Sequence, residues 1–395
     1  MRTSGVIARG ILTPIVKEGD DLIGIVCDSV CNAVENDRFS LNNGDIIGIT
    51  EAVVGRAQGN YATCDQIITD LRLKFGGEAL GIVFPILSRN RFSILLRAMA
   101  ASTKTLYVQL SYPSDEVGNE LVSRDLADEK GVDPYTDVFD LNGFRKTFGD
   151  NTVHPFTGVD YVDFYQSFGD NIRLIFSNDP RTILKYTEQV LVCDIHTRKR
   201  TQRIIKEAAP QANVLRMDDI LSSSVSGSGY SEYGLLGSNK ATEDKVKLFP
   251  HSTQPFVEAV QSEMHRRTGK RIEVLVYGDG CFKDPQGGIW ELADPVVSPA
   301  YTEGLRGVPN EIKIKYIADN EYANLSGDAL TAALKRHIRE KDDSLVGKMQ
   351  AEGTTPRRIP DLVGSLCDLT SGSGDRGTPV VLVQNYFMNY ASDEI

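Results

Sequence analysis

What most constrains this chain is an alternation: short apolar runs of strand length recur between amphipathic stretches of helical length. Asp20 to Glu35 reads as a helix, with Asp20 and Asp21 at its start and Leu22, Ile25, Val26, Val30 and Ala33 along one side. Asp45 to Thr50 (DIIGIT) is a short buried strand. Tyr61 to Phe75 is helical and stops at Gly76-Gly77, as helices commonly do. Gly81 to Leu87 is another strand, and Ser88 caps a helix running to about Ala101. Ile172 to Phe176, Gln189 to Ile195 and Asn213 to Met217 read as strands around a short helix starting at Pro180 and a basic-faced helix from Thr197 to Ala209. After these come a helix (Gln254 to Arg267), a strand ending at Gly278 and a strand from Ile312 to Ile317. Two helices (Gly327 to Lys341, Ile359 to Leu369) then lead to the apolar strand PVVLVQ. Such a pattern predicts an α/β or α+β fold, with mixed sheets and flanking helices.

Two stretches break the pattern. From about Tyr112 to Gly158 the chain is rich in Asp, Gly, Asn and Pro and reads as a long irregular excursion, a kind of loop that tends to be functional or mobile. His154 to Phe168 packs aromatics among acids, as either a ligand surface or a satellite hydrophobic cluster. Leu221 to Gly237 is rich in Ser and Gly and reads as flexible, either a linker or a backbone that approaches a ligand.

At 395 residues the chain suggests two or three domains. Its formal charge of -11 argues against a nucleic-acid partner, whose phosphates need a basic face, though a local basic pocket is still allowed. No apolar run approaches the ~20 residues needed to cross a bilayer, and the N-terminal stretch, broken by Arg9 and Pro14, does not read as a signal peptide. The six cysteines are scattered without a CxxC pair; Cys27 and Cys31, four apart on a helix, read as buried thiols rather than metal ligands. A reduced, cytoplasmic, soluble protein is expected.

The segment richest in chemistry is Val274 to Thr302. An apolar strand ends in a turn carrying Asp279, Lys283 and Asp284, followed by two glycines, the single tryptophan and a second acidic pair, Glu291 and Asp294. Acids beside a lysine at a strand end suit a metal–phosphate site; an ordinary Asp-Gly hairpin turn is the plainer alternative. Near the C-terminus, Thr370 to Pro379 places glycines around Asp375 and Arg376 before a buried strand. Glycine lets backbone N–H groups turn toward phosphate oxygens. The loop spells GxGxxG without the strand-before, helix-after setting of a dinucleotide site, and no Walker A loop, HExxH or GxSxG occurs. The run from His196 to Arg203 is either a phosphate seat at a helix start or a solvated charged face. Acidic turns, glycine loops and scattered basic residues together favour nucleotide chemistry assisted by a divalent cation.

The order of these motifs resembles the coenzyme F-420 γ-glutamyl ligase family, whose members add glutamate using GTP and a divalent metal. ILTPIVKEGDDL (Ile11 to Leu22) is similar to the family's N-terminal signature, and DIIGITEAVVGRAQG (Asp45 to Gly59) to its strand and following turn. YGLLGSN (Tyr233 to Asn239), GKRIEVLVYGDG (Gly269 to Gly280), IADN (Ile317 to Asn320) and GSGDRGTPVVLV (Gly372 to Val383) resemble later motifs. The resemblance implies a ligase-like core built from residues 1–87 and 232–395 around an enlarged α/β region, 88–231. It puts Pro14, Ile15, Val16 and Asn239 against the nucleotide and gives Gly372, Ser373, Gly374, Asp375 and Gly377 to the phosphates. Asp279 would be a metal carboxylate, with Asp284 and Asp319 as further acids, while Arg56 and Lys283 would neutralise developing charge. Several positions depart from the family pattern: a metal aspartate is replaced by Leu236, a metal glutamine by Ser373, the threonine after the metal aspartate by Gly280, and a nucleotide-contacting lysine by Arg56. The implied activity is amide formation between L-glutamate and a small carboxylated acceptor, with GTP or ATP and Mg²⁺ or Mn²⁺, in a homodimer without nucleic-acid or membrane partners. The alternative is a non-catalytic nucleotide- or metabolite-binding relative.

Overall fold

The computed structural model describes residues 4–89, 92–150, 152–154, 157–279, 296–351, 357–371 and 375–392. The chain divides into two compact units, one formed by Met1–Ala57 with Ser252–Ile395 and the other by Gln58–His251.

In chain order, the first unit begins with β1 (Ile7–Ile11), α1 (Leu22–Asn36), β2 (Ile46–Thr50) and α2 (Glu51–Ala57). The second unit contributes β3 (Tyr61–Thr63), α3 (Cys64–Phe75), β4 (Ala79–Val83), α4 (Phe92–Ser102) and β5 (Thr105–Leu110). It continues through α5 (Arg124–Glu129), β6 (Phe139–Asp140), α6 (Leu141–Phe148), α7 (Tyr161–Gln166) and β7 (Ile172–Phe176). It closes with β8 (Gln189–Val192), α8 (Arg198–Ala208), β9 (Asn213–Arg216), β10 (Asn239–Lys240) and β11 (Lys245–Lys247). The chain then returns to the first unit as α9 (Thr253–Thr268), β12 (Glu273–Asp279), β13 (Val296–Tyr301), α10 (Ile314–Asn320), α11 (Gly327–Glu340), α12 (Ile359–Thr370) and β14 (Val380–Gln384).

Among the described residues, the first unit's main sheet runs β1-β14-β2-β12-β13, with β2 and β12 parallel and the other neighbours antiparallel. Its central strands are apolar on both faces because both are covered. Ile47, Ile49, Val274, Val276, Val380 and Leu382 join a core with α1 and α9. The alternate residues Ile46, Leu275, Tyr277, Val381 and Val383 pack with Val363 and Cys367 of α12. Gly48 is required by that second face, since a Cβ there would lie 2.5 Å from Cys367 Sγ.

The second unit carries a sheet in the order β6-β7-β5-β4-β8-β9, parallel except for β6. One face packs on α3, α4, α6 and α7, and the other on α8 and the short turn Pro180–Lys185. A small sheet, β10-β11-β3, completes it among the described residues. Gln58 Nε2 donates to the His251 carbonyl at 2.7 Å and Gln58 Oε1 accepts from the His251 N–H at 3.2 Å, tying the unit's two chain ends together.

The mixed α/β class is as the alternation implies, but several elements differ. The expected breaks at 87/88 and 231/232 both lie inside the second unit, because β4 pairs with β5 and β8 in one sheet. The expected strand Ile312 to Ile317 is instead helix α10: Ile314 and Ile317, three apart, suit one helical side, and Ile317 is the buried one. The excursion after Tyr112 is partly ordered, since Phe144 of α6 stacks on Phe176 of β7 with ring centroids 3.7 Å apart. Tyr161 and Tyr165 are core residues, the satellite-cluster alternative. Within Leu221 to Gly237, Leu221, Leu235 and Leu236 are core residues, while Ser222 to Ser224, Ser226 and Gly227 are exposed. Asn60 Nδ2 donates to the carbonyls of Tyr230 and Phe249, and its Oδ1 accepts from the Tyr230 N–H, so this polar backbone is satisfied internally. No helix among the described residues is long and apolar enough to cross a membrane.

Candidate active site at one end of the first sheet

The register of the first sheet gathers five strand termini at one end. Tyr277 of β12 sits opposite Thr50 of β2, so the carboxyl ends of these parallel strands coincide. Val380, which opens β14, lies opposite both Ile49 and Ile11, so β1 ends there too. Asp279 pairs with Val296, the first residue of β13. Two backbone bonds extend this edge: Thr13 N–H to the Gly377 carbonyl at 3.3 Å, and Thr50 N–H to the Pro379 carbonyl at 3.0 Å. Neighbouring strands are about 4.8 Å apart, so the tip of β12 stands roughly 10 Å from the late glycine turn, two strands away.

The backbone of Asp279 and Gly377, and the start of the Thr13–Val16 segment, therefore share one end of one sheet. Gly377 has a φ of +66°, which favours glycine. Val16 is buried in the core, while Ile15 is 79% exposed and Pro14 is also exposed. Asp375 lies in an exposed turn. The side chain of Asp279, together with Lys283, Asp284, Gly372, Ser373 and Gly374, lies outside the described residues. Arg56 is exposed in the last turn of α2, about 7.5 Å along the helix axis from the strand end. Asp319 is exposed on α10, an element outside this sheet, so no strand register carries it to this edge. Asn239 lies in β10 of the second unit.

One acid emerges that sequence reasoning did not single out. Glu51 opens α2 directly after the buried strand β2 and is only 5% exposed. Its side chain lies against Gly278: a Cβ on that glycine would stand 2.2 Å from Glu51 Cγ. Glycine at 278 thus leaves room for a buried carboxylate beside the end of β12. The sequence signal was present, an acid at the carboxyl end of an otherwise apolar strand.

Two other buried acids of the first unit, Asp45 and Glu273, are structural. Asp45, at the opposite end of β2, accepts from the Asn42 N–H and Gln384 Nε2. Glu273 accepts from Thr302, Gly304 and Gln261 at the start of β12. Burial pushes the Cys27 thiol up to about 12 and raises Cys31, so both stay protonated thiols. Among the described residues no group of three or more His, Cys, Asp or Glu side chains is placed to hold a metal ion. Leu236, where the family pattern has a metal aspartate, is buried in the second unit's core.

Parallel strand ends beside a buried acid, Gly377 and an exposed apolar segment mark a candidate site at the edge of a mixed α/β protein. The family model described as F420-0:Gamma-glutamyl ligase matches residues 10–385, nearly the whole chain. The chain belongs to that family. No match is found among curated proteins.

Proposed function

We propose that the chain is a nucleotide- and metal-dependent amide ligase that joins an amino acid, L-glutamate, to a small carboxylated acceptor. The observation that carries this reading is the convergence of Glu51, the Asp279 backbone, Gly377 and the Thr13–Val16 segment at one sheet end. The oxygen chemistry of Glu51 and Asp279 suits Mg²⁺ or Mn²⁺, which take one or two carboxylates plus substrate phosphates. When bound, the cation supplies neutralisation of phosphate charge.

The chain's own groups then have distinct tasks. The segment Gly372 to Gly377, with Ser373, Gly374 and Asp375, would present backbone N–H groups to the triphosphate of GTP or ATP. Pro14 and Ile15 would line the nucleotide, with Ile15 offering exposed apolar surface, while Val16 anchors the segment in the core. Arg56 and Lys283 would offset charge on the transferring group. The acceptor carboxylate attacks the terminal phosphorus, expelling the nucleoside diphosphate. The glutamate amine then attacks the acyl carbon, and inorganic phosphate leaves with the amine proton lost to solvent.

The test is nucleotide hydrolysis measured with and without L-glutamate, divalent metal and a panel of carboxylic acids. Product release that requires metal, glutamate and one acid supports the reading; no hydrolysis and no nucleotide binding across the panel contradicts it. The second reading, a binding protein without turnover, is favoured by one observation: Leu236 is core, so one family metal ligand is absent. Nucleotide affinity independent of metal and unchanged in Asp279→Ala would favour it.

A further inference from the structure

In the second unit, the parallel strands numbered by their order in the chain lie as 3-2-1-4-5: β7, β5, β4, β8, β9. The chain moves outward from β4 to β5 and β7, then crosses back to β8 on the other side of β4. In such sheets ligands settle outside the carboxyl ends of the strands where the direction reverses, here between β4 and β8.

Two consecutive acids on the loop after β5 reach across that end of the sheet. Asp115, buried, accepts from the Leu87 N–H beyond β4 at 2.9 Å, and from the N–H groups of Val117 and Asn119. Glu116 reaches the turn beyond β8, where its carboxylate accepts from the backbone N–H groups of Ile195 and of His196, the latter at 3.1 Å. Thr197, which precedes α8, makes no side-chain cap bond to the helix; its hydroxyl donates to Asp194 Oδ2 at 2.6 Å. Backbone donors converging ahead of an eleven-residue helix form an anion seat, and Glu116 fills it.

A second, independent feature lies beside it. Asp194 is 1% exposed. Its Oδ2 accepts from Thr197 and Thr201, but Oδ1 accepts no hydrogen bond among the described residues. A buried, unsatisfied carboxylate oxygen is costly unless something donates to it. Glu116, although exposed as a residue, has an enclosed carboxyl group. That loss of water pushes it up to about 7, opposed by the Ile195 N–H and reinforced by the nearby Asp194 charge. A resident carboxylate held against a second one is a poor permanent occupant.

We propose that this end of the sheet, with Glu116 displaced, is a second ligand site, for a small zwitterion of the α-amino-acid class. Its carboxylate would take the Glu116 seat on Ile195 and His196, and its ammonium would donate to Asp194 Oδ1. The inference is independent of the ligase reading, whose residues at the sheet end belong to the first unit.

The test uses the full chain with glycine and acetate as probes, read by calorimetry and by amide shifts of Ile195 and His196. Glu116→Ala should bind glycine at least tenfold tighter than the parent, and adding Asp194→Asn should abolish that gain. Glycine should also outcompete acetate in the single variant. Glycine affinities within twofold across parent, single and double variants would overturn the proposal, as would equal affinity for acetate and glycine. Should Glu116→Ala fail to fold, the parent and Glu116→Gln are titrated instead. Saturable glycine shifts at both amides, tighter in Glu116→Gln, support the site, and shifts that stay linear overturn it. Nucleotide hydrolysis followed in the same samples reports on the first unit separately.

Discussion

Glu51 and Glu116 are carboxylates in opposite circumstances. Glu51 is enclosed where a glycine on the neighbouring strand makes room for it, at the edge proposed above for the ligase chemistry. Replacing it with Gln keeps the shape and removes the charge. If it supports a cation or a phosphate, Glu51→Gln should lower kcat by roughly 100-fold with an unchanged melting midpoint, measured by steady-state kinetics and calorimetry. A purely structural role would move the midpoint instead. Glu116 is the pH-sensitive case. Its folded pKa, about 7, lies above its ordinary value of 4.5. A raised carboxyl contributes its full stabilisation below the ordinary value and loses it as pH rises through the folded one. The Ile195 and His196 amides should therefore lose exchange protection between about pH 4.5 and about pH 7, after correction for intrinsic exchange. Asp194, His196, Arg198 and Asp115 are the neighbouring ionisable groups. Constant protection over that range would mean the contact does not titrate there.

At the scale of elements, caps and periodicity were the readable signals. The Asp21 side chain accepts from the Gly24 N–H at the start of α1, and Gly76 ends α3 with a φ of 82°. Thr63 and Gln66 form a reciprocal capping box on α3. Thr63→Ala should therefore destabilise the second unit by about 1 kcal/mol, visible as a lower urea midpoint with an unchanged slope. The buried strands β2, β12 and β14 were legible because faces covered on both sides demand unbroken apolar runs. Strand β5, at the centre of the second sheet, received no assignment, and α5 and α6 were absorbed into an irregular stretch. Their polar turns dominate the local composition, while their stability comes from distant partners such as Phe176. Isoleucine-rich α10 was misread for the converse reason, β-branched propensity outweighed by its setting. Of the candidate site, the strand end, the glycine turn and the opening segment could be read from residue types. Glu51 could not be ranked, because its burial depends on Gly278, more than 200 residues away in the chain.

At the scale of the molecule, the main sheets of the two units are of different kinds, each ending in a set of acids and backbone donors. In the first unit, antiparallel neighbours flank a central parallel pair, so strands from both ends of the sequence meet at one edge. In the second, a parallel sheet reverses direction beside a loop carrying Asp115 and Glu116. Membership of the γ-glutamyl ligase family is matched along both units, from residue 10 to 385. The central claim belongs to the first: that its sheet end holds a divalent cation together with a nucleoside triphosphate. Its most direct test is an anomalous difference map from crystals grown with Mn²⁺ and a non-hydrolysable triphosphate. A manganese peak is expected within coordination distance of the Asp279 or Glu51 carboxylate, with phosphates along Gly372 to Gly377. Nucleotide and metal bound elsewhere, with this edge vacant, would contradict it.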